Sequence, residues 1–219
     1  MLDREEAVAF HGVGRLNVAG TRFCTATLIS EAVIATAAHC LFHPRTRERV
    51  PLSEFRFVAG LRMGKAVAVR RVTRAALHPD FTFDGLASPE GVAADLALLE
   101  LDEPVPAGDA PAFAPGGLRE NAPIAIVSYA RDRAQAPSIE APCGLVVTFS
   151  GVTALDCAVT YGASGAPVLQ GGEDDRRLVA VVSAMGSVVA TRNEVTLAVL
   201  VGPWIAPLLV SLAAEPIEE

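Results

Sequence analysis

Residues 23–40, FCTATLISEAVIATAAHC, hold two short runs, FCTATLIS and AVIATAA, just ahead of a histidine and a cysteine. Each run has strand length and is rich in apolar and β-branched residues, so the stretch reads as two successive strands. The pattern continues in both directions. RLNVAG precedes it, and FRFVAGL, AVAVRRVTRAAL and DLALLEL follow, set apart by Gly, Pro or charged residues. A Pro- and Gly-rich stretch, EPVPAGDAPAFAPGGLREN at about residues 102–120, then breaks the pattern and reads as a linker. Beyond it IAIVSYA, GLVVTFSGV, APVLQ, RLVAVVSAMG and VTLAVLV read as further strands. The one helix-like segment is GPWIAPLLVSLAAE, with Pro203 in a first-turn position. Many short strands between turn signals point to barrels or sandwiches rather than a parallel sheet. The expected class is therefore all-β, in an N-terminal half (1–106) and a C-terminal half (107–219) that ends in a short helix.

Composition narrows the function classes. The chain of 219 residues is 51% apolar and 20% charged, which is globular and ample for a buried core. Aromatics make up only 5%, so Val, Ala, Leu and Ile must build that core. A net charge of -7 argues against a nucleic-acid partner, which needs a clustered positive face. Five Arg or Lys side chains fall within 62–74, but they alternate with Val and Ala, as on the solvated face of a strand. No apolar run reaches the roughly 18 residues of a membrane span. The opening MLDREEAVAF is acidic and lacks the basic-then-apolar pattern of a secretory leader.

Four cysteines allow three pairings. Cys24–Cys40 with Cys143–Cys157 is the local solution, while spacing alone also admits four buried free thiols. Neither pair is spaced as a zinc site, so no metal is expected. Stapled cysteines imply an oxidising compartment, and the expected location is secreted or periplasmic, with a leader already removed.

Three separated segments carry the candidate chemistry. TAAHC (36–40) places His39 after an apolar strand and beside Cys40. Asp95 heads the apolar run DLALLEL, whereas Asp80 and Asp84 lack a following strand to fix a carboxylate. YGASGAP (161–167) sets Ser164 between Gly162 and Gly165, a combination that permits a tight turn with its N–H groups converging. Singly, each has a bland reading: a structural histidine, a turn acid, a loop serine. Jointly they supply a nucleophile, a base whose pKa lies near neutrality, and an acid to orient that base. The amides of Gly162 and Ser164 are the candidate oxyanion donors.

In this order TAAHC, DLALLEL and GASGAP resemble the three signature segments of the chymotrypsin-like serine proteases, over roughly residues 10 to 210. The resemblance implies two antiparallel β-barrels with a short C-terminal helix, and His39 and Asp95 on the first barrel facing Ser164 on the second. It implies a serine endopeptidase acting on peptide or protein substrates without a cofactor. It also matches Cys24–Cys40 to the disulfide that holds the family's histidine loop. Cys157, seven residues before Ser164, is similar to the bacterial glutamyl-endopeptidase-like branch. Ala163 stands where the vertebrate digestive enzymes carry an activation aspartate, so that switch is not carried over.

By the same resemblance Ala158, Val159, Thr160, Ser183, Ala184 and Met185 line the primary specificity pocket. Ser183 is further expected to hydrogen-bond Asp95. Ala158 replaces the acid that binds Lys or Arg, and Val182 replaces a histidine of the glutamate-specific members. A small or apolar residue before the cut is therefore expected. The alternative is a catalytically inert binding module or zymogen of the same fold, supported by Ala163 and Ala166 in place of the commoner Asp and Gly.

Overall fold

A computed structural model describes residues 1–85, 88–173, 175–187 and 194–216. The N-terminal half closes into a six-stranded barrel of β1 (Val13–Val18), β2 (Arg22–Leu28), β3 (Val33–Thr36), β4 (Phe55–Ala59), β5 (Ala68–Leu77) and β6 (Ala97–Leu101). Its ladder runs β1-β2-β3-β6-β5-β4 and returns to β1, every pair antiparallel. Leu16, Leu28, Ile34, Phe55, Phe57 and Leu98 fill it and are fully buried. Closure leaves no open strand edge in this half. Arg74, one of the alternating cations, sits outward and pairs with Glu100 across the sheet at 2.9 Å.

The C-terminal half comprises β7 (Ile124–Ala130), β8 (Arg133–Glu140), β9 (Leu145–Phe149), β10 (Val152–Leu155), β11 (Pro167–Gln170), β12 (Arg177–Ser187) and β13 (Glu194–Leu200). They form one antiparallel sheet in the order β8-β7-β11-β12-β13-β10-β9. Its ladder ends at β8 and β9 rather than running full circle as in the first half. The two edges are treated differently. On β8 the Pro137 and Gln135 carbonyls accept the N–H groups of Leu2 (2.9 Å) and Met63 (2.6 Å) from the other half. On β9 all five residues are exposed.

Two local readings change with the structure. GLVVTFSGV is not one strand: Ser150 and Gly151 both take positive φ, a two-residue hairpin turn that folds β10 back on β9. RAQAPSIE, absent from the sequence-based strands because of its charges and proline, forms β8; an edge strand tolerates Pro137. The stretch 102–120 is largely irregular, as its Pro and Gly content requires. The C-terminal helix α2 (Ile205–Ala214) buries Ile205, Leu208 and Leu212 and packs on β5 and β6 of the first half. Trp204, at its start, packs against His78 with ring centroids 3.8 Å apart and planes tilted by 60°. A short helix α1 (Pro89–Ala93), capped by the Ser88 hydroxyl, leads directly to Asp95.

Candidate active site

His39 lies on a 3₁₀ turn (Ala38–Leu41) where β3 ends, and Asp95 lies two residues before β6, the strand paired with β3. Neighbouring strands thus bring together residues 56 apart in sequence. The His39 Nδ1 and Asp95 Oδ2 atoms are 2.6 Å apart, and the His39 backbone N–H donates to Asp95 Oδ1 at 2.8 Å. Ser183, from β12 of the other half, donates its hydroxyl to Asp95 Oδ2 at 2.5 Å, the contact that the family resemblance implied. The carboxylate is buried, while the imidazole keeps one edge exposed.

These contacts shift both groups towards their charged forms. Burial alone would push the Asp95 carboxyl up, but the His39 charge and the hydrogen bonds from His39 and Ser183 outweigh it and hold Asp95 below the usual carboxylate value. Burial works against charging His39, yet the attraction and hydrogen bond of Asp95 prevail and raise its pKa, with Arg22 pulling it down. Arg22 also braces the loop, donating to the Cys40 and Phe42 carbonyls at 3.1 and 2.6 Å. The disulfide Cys24–Cys40 ties the same loop to β2, and Cys143–Cys157 closes the base of the β9–β10 hairpin. Among the described residues the metal-ligand cluster is Cys24, His39 and Cys40, but its two sulfurs are bonded to each other and offer no thiolate.

Ser164 sits in the turn before β11, partly exposed, and the hydrogen bonds of that turn determine which way its amides face. The Tyr161 carbonyl accepts from Arg131 N (2.7 Å), and the Ala163 carbonyl from Ala166 N (2.8 Å). The Ser164 carbonyl accepts from Thr25 N (2.8 Å), and the Gly162 carbonyl from the Thr25 hydroxyl (2.9 Å). Ala163 N and Gly165 N donate to Thr160 and Val182. The Gly162 and Ser164 N–H groups are left, and neither donates to a protein group among the described residues. In a planar trans peptide the N–H opposes the C=O, so anchoring the Tyr161 and Ala163 carbonyls fixes both free N–H groups in direction. Glycine is required at both flanks. Gly162 has φ of 100°, and a Cβ there would lie 2.6 Å from the Phe23 ring; Gly165 has φ of 81°, and a Cβ would strike the Thr25 carbonyl and Thr36 hydroxyl.

Thr25 is the residue that sequence reasoning missed. Besides its two bonds to the serine turn, its hydroxyl accepts from Tyr129 N at 3.0 Å, and its carbonyl accepts from the Thr36 hydroxyl at 2.9 Å. It stands in β2 of the first half and organises a turn of the second. Nothing in its strand-like surroundings marks it out, because its partners lie 104 and 137 residues away. No hydrogen bond joins the Ser164 hydroxyl to His39 Nε2, which faces Cys40 Sγ at 3.9 Å. Such contacts are often long in an empty site and tighten when substrate binds.

Of the expected pocket residues, Ala158 is exposed and Val159 and Thr160 are half-buried on the approach to the serine turn. Ala184 and the exposed Met185 continue β12 beyond Ser183, whose hydroxyl is given to Asp95. Thr196, opposite Met185 on β13, is buried and donates to the Cys157 carbonyl at 2.5 Å. A cavity of about 690 Å³ lies elsewhere, lined by His78, Asp80, Ser88, Ala94, Ser150 and Trp204 among others.

The family described as a trypsin-like peptidase domain matches residues 24–181. Sequence comparison with curated proteins finds no match. The solved structure of a Glu endopeptidase in complex with MPD aligns with a TM-score of 0.74, over 98% of this chain and 96% of that one, at 14% identity. At that identity the likeness speaks for the fold. No described helix is long and apolar enough to cross a membrane.

Proposed function

The chain belongs to the trypsin-like peptidase family and is a serine endopeptidase, and from that premise we propose that Ser164, His39 and Asp95 carry its reaction. Ser164 Oγ attacks the scissile carbonyl as His39 Nε2 takes its proton. Asp95, held ionised, keeps the proton of His39 on Nδ1 and stabilises the imidazolium. The tetrahedral oxyanion is received by the Gly162 and Ser164 N–H groups. The C–N bond then breaks, His39 returns the proton to the leaving amine, and an acyl ester remains on Ser164. Water, deprotonated by His39, releases the acid and restores the serine.

The observation that carries this reading is the serine turn with its two directionally fixed amides, unpartnered among the described residues. Preorganised donors of this kind are worth about a hundred- to a thousandfold each in rate. An inert module with a collapsed oxyanion hole would have one of those amides turned onto a protein acceptor. The reading is tested with a fluorophosphonate, followed by intact mass and peptide mapping, with Ser164→Ala alongside. A single adduct on Ser164, absent from the variant, is expected. No adduct on folded protein would refute an assembled site.

For specificity, the described pocket positions Ala158, Val159, Thr160, Ala184 and Met185 carry no charge, and neither does Thr196 beside them. A buried cation or carboxylate would lack a partner there, at a cost of several kcal/mol on the order of that for an unpaired buried ion. This supports a small or apolar residue before the cut. One solved structure of similar fold is a Glu endopeptidase, but by the family resemblance Val182 stands where glutamate-specific members carry a histidine. Cleavage profiling of a peptide library tests this, and a profile dominated by Glu, Lys or Arg would overturn it. Residues 188–193, which follow β12, lie outside the described residues. The two stapled disulfides support a secreted or periplasmic location.

A further inference from the structure

Two arginines each lie one aromatic ring away from Gly162. On one side the Arg15 guanidinium sits 5.3 Å over the Phe23 ring, and the edge of that ring closes on Gly162. On the other, the Arg131 guanidinium sits 5.1 Å over the Tyr161 ring, while its own backbone N–H holds the Tyr161 carbonyl. Both aromatic stacks fix where the positive charge stands. Neither guanidinium has a carboxylate partner among the described residues. Arg15 donates to the neutral Asn17 Oδ1 and Ala134 carbonyl, leaving further N–H groups for a ligand. The side chain of Arg131 is exposed and makes no hydrogen bond among those residues, and the adjacent Asp132 is already paired with Arg133 at 2.9 Å. In a chain of net charge -7 this is a local excess of positive charge beside the reacting serine.

The sheet order determines which end of a substrate meets it. β11, which follows the Ser164 turn, lies between β7 and β12. Gly165 N donates to Val182 on the β12 side, where Ala184 and Met185 follow. Arg131 closes β7 on the opposite side, and Arg15 reaches β8 next to it. With the acyl part of the substrate on the β12 side, the leaving part runs out over Phe23, Tyr161 and the two arginines. Resting on the proteolytic reading above, we propose that Arg15 and Arg131 select acidic residues immediately after the scissile bond. The preferred substrate is then a peptide with an uncharged residue before the cut and Asp or Glu within the next two positions.

The test uses internally quenched peptides with one common acyl half, differing only in the two residues after the cut: Asp-Glu, Ser-Ala or Lys-Arg. The expected order of kcat/KM is acidic, neutral, basic, separated by about three- to tenfold in all, the range of one or two partly exposed ion pairs. The spread should shrink at 1 M NaCl, where the screening length falls to about 3 Å. In Arg15→Gln and Arg131→Gln the acidic-to-neutral ratio should drop towards one. Equal rates for the three peptides, or ratios unchanged in both variants, would overturn the assignment while leaving the protease reading intact. Failure to cleave any of them would count against the protease reading instead. Anisotropy of the same peptides, fluorescently labelled, on Ser164→Ala then decides the arginine assignment by itself. Tighter binding of the acidic peptide, lost in Ser164→Ala/Arg131→Gln, supports it, and equal binding of all three overturns it.

Discussion

Replacing Thr25 by valine separates the role of its hydroxyl from that of its shape. The hydroxyl accepts from Tyr129 N at 3.0 Å and spends its single proton on the Gly162 carbonyl at 2.9 Å, the shorter of two choices, the Tyr129 carbonyl being 3.3 Å away. Valine fills the same space but leaves the buried Tyr129 N–H without an acceptor, which costs about 1–3 kcal/mol. The Gly162 carbonyl is partly solvated and loses less, about 1 kcal/mol. Urea unfolding should therefore register a loss of about 2–4 kcal/mol, with the m-value unchanged. Activity should also fall, because one of the two tethers flanking Gly162 is gone while Thr25 N still holds the Ser164 carbonyl. A drop in kcat of about ten- to a hundredfold is expected, short of the hundred- to thousandfold for deleting an oxyanion donor. Thr25→Ser keeps the hydroxyl and should recover most of kcat, losing only the buried methyl, about 1 kcal/mol of stability. If Thr25→Val turned over normally, or Thr25→Ser were equally impaired, the hydroxyl's bond to the Gly162 carbonyl would not be what steadies the serine turn.

Gly162→Ala places a Cβ 2.6 Å from Phe23 at a φ of 100°, so kcat should fall at least a hundredfold, with a stability loss of about 1–3 kcal/mol; an active variant would mean this peptide does not receive the oxyanion. The His39 pKa is raised by Asp95 and the base must be neutral to act, so kcat/KM should rise with pH along a limb centred above the ordinary histidine value of 6.5. Because Arg22 lowers that pKa, Arg22→Gln should move the limb to higher pH and Arg22→Lys should restore it; a limb moving down would reverse the assigned sign. Removing the Cys24–Cys40 staple with paired alanines opens a loop of 16 residues, and should cost about 3 kcal/mol in chemical unfolding and slow fluorophosphonate labelling; unchanged labelling would mean that Arg22 alone braces the histidine loop.

The parts legible in the sequence were those written in local patterns. Alternating apolar runs gave the strands, the Pro- and Gly-rich stretch gave the irregular connection, and Gly162 and Gly165 marked a turn only glycine permits. The links between distant residues were not legible. Thr25 bonds to residues 104 and 137 positions away, and a threonine in a strand looks the same whether it faces solvent or the nucleophile's turn. Arg22 reads as a strand-end cation until the loop carbonyls it binds are in place. β8 escaped because its charges and Pro137 mask a strand that is completed by pairing with β7 and by the N–H groups of Leu2 and Met63 from the other half.

The two halves also hold each other's ends. Leu2, from the start of the chain, lies on β8 of the second half, and α2, from its end, packs on β5 and β6 of the first. Neither half can leave without pulling a terminus of the other off its seat. A single cut at an exposed position of the 102–120 connection, such as 106–109, should therefore yield two pieces that migrate together under native conditions and part only in denaturant. On that outcome the covalent link between the halves is dispensable once folded, and the molecule behaves as a clasped pair.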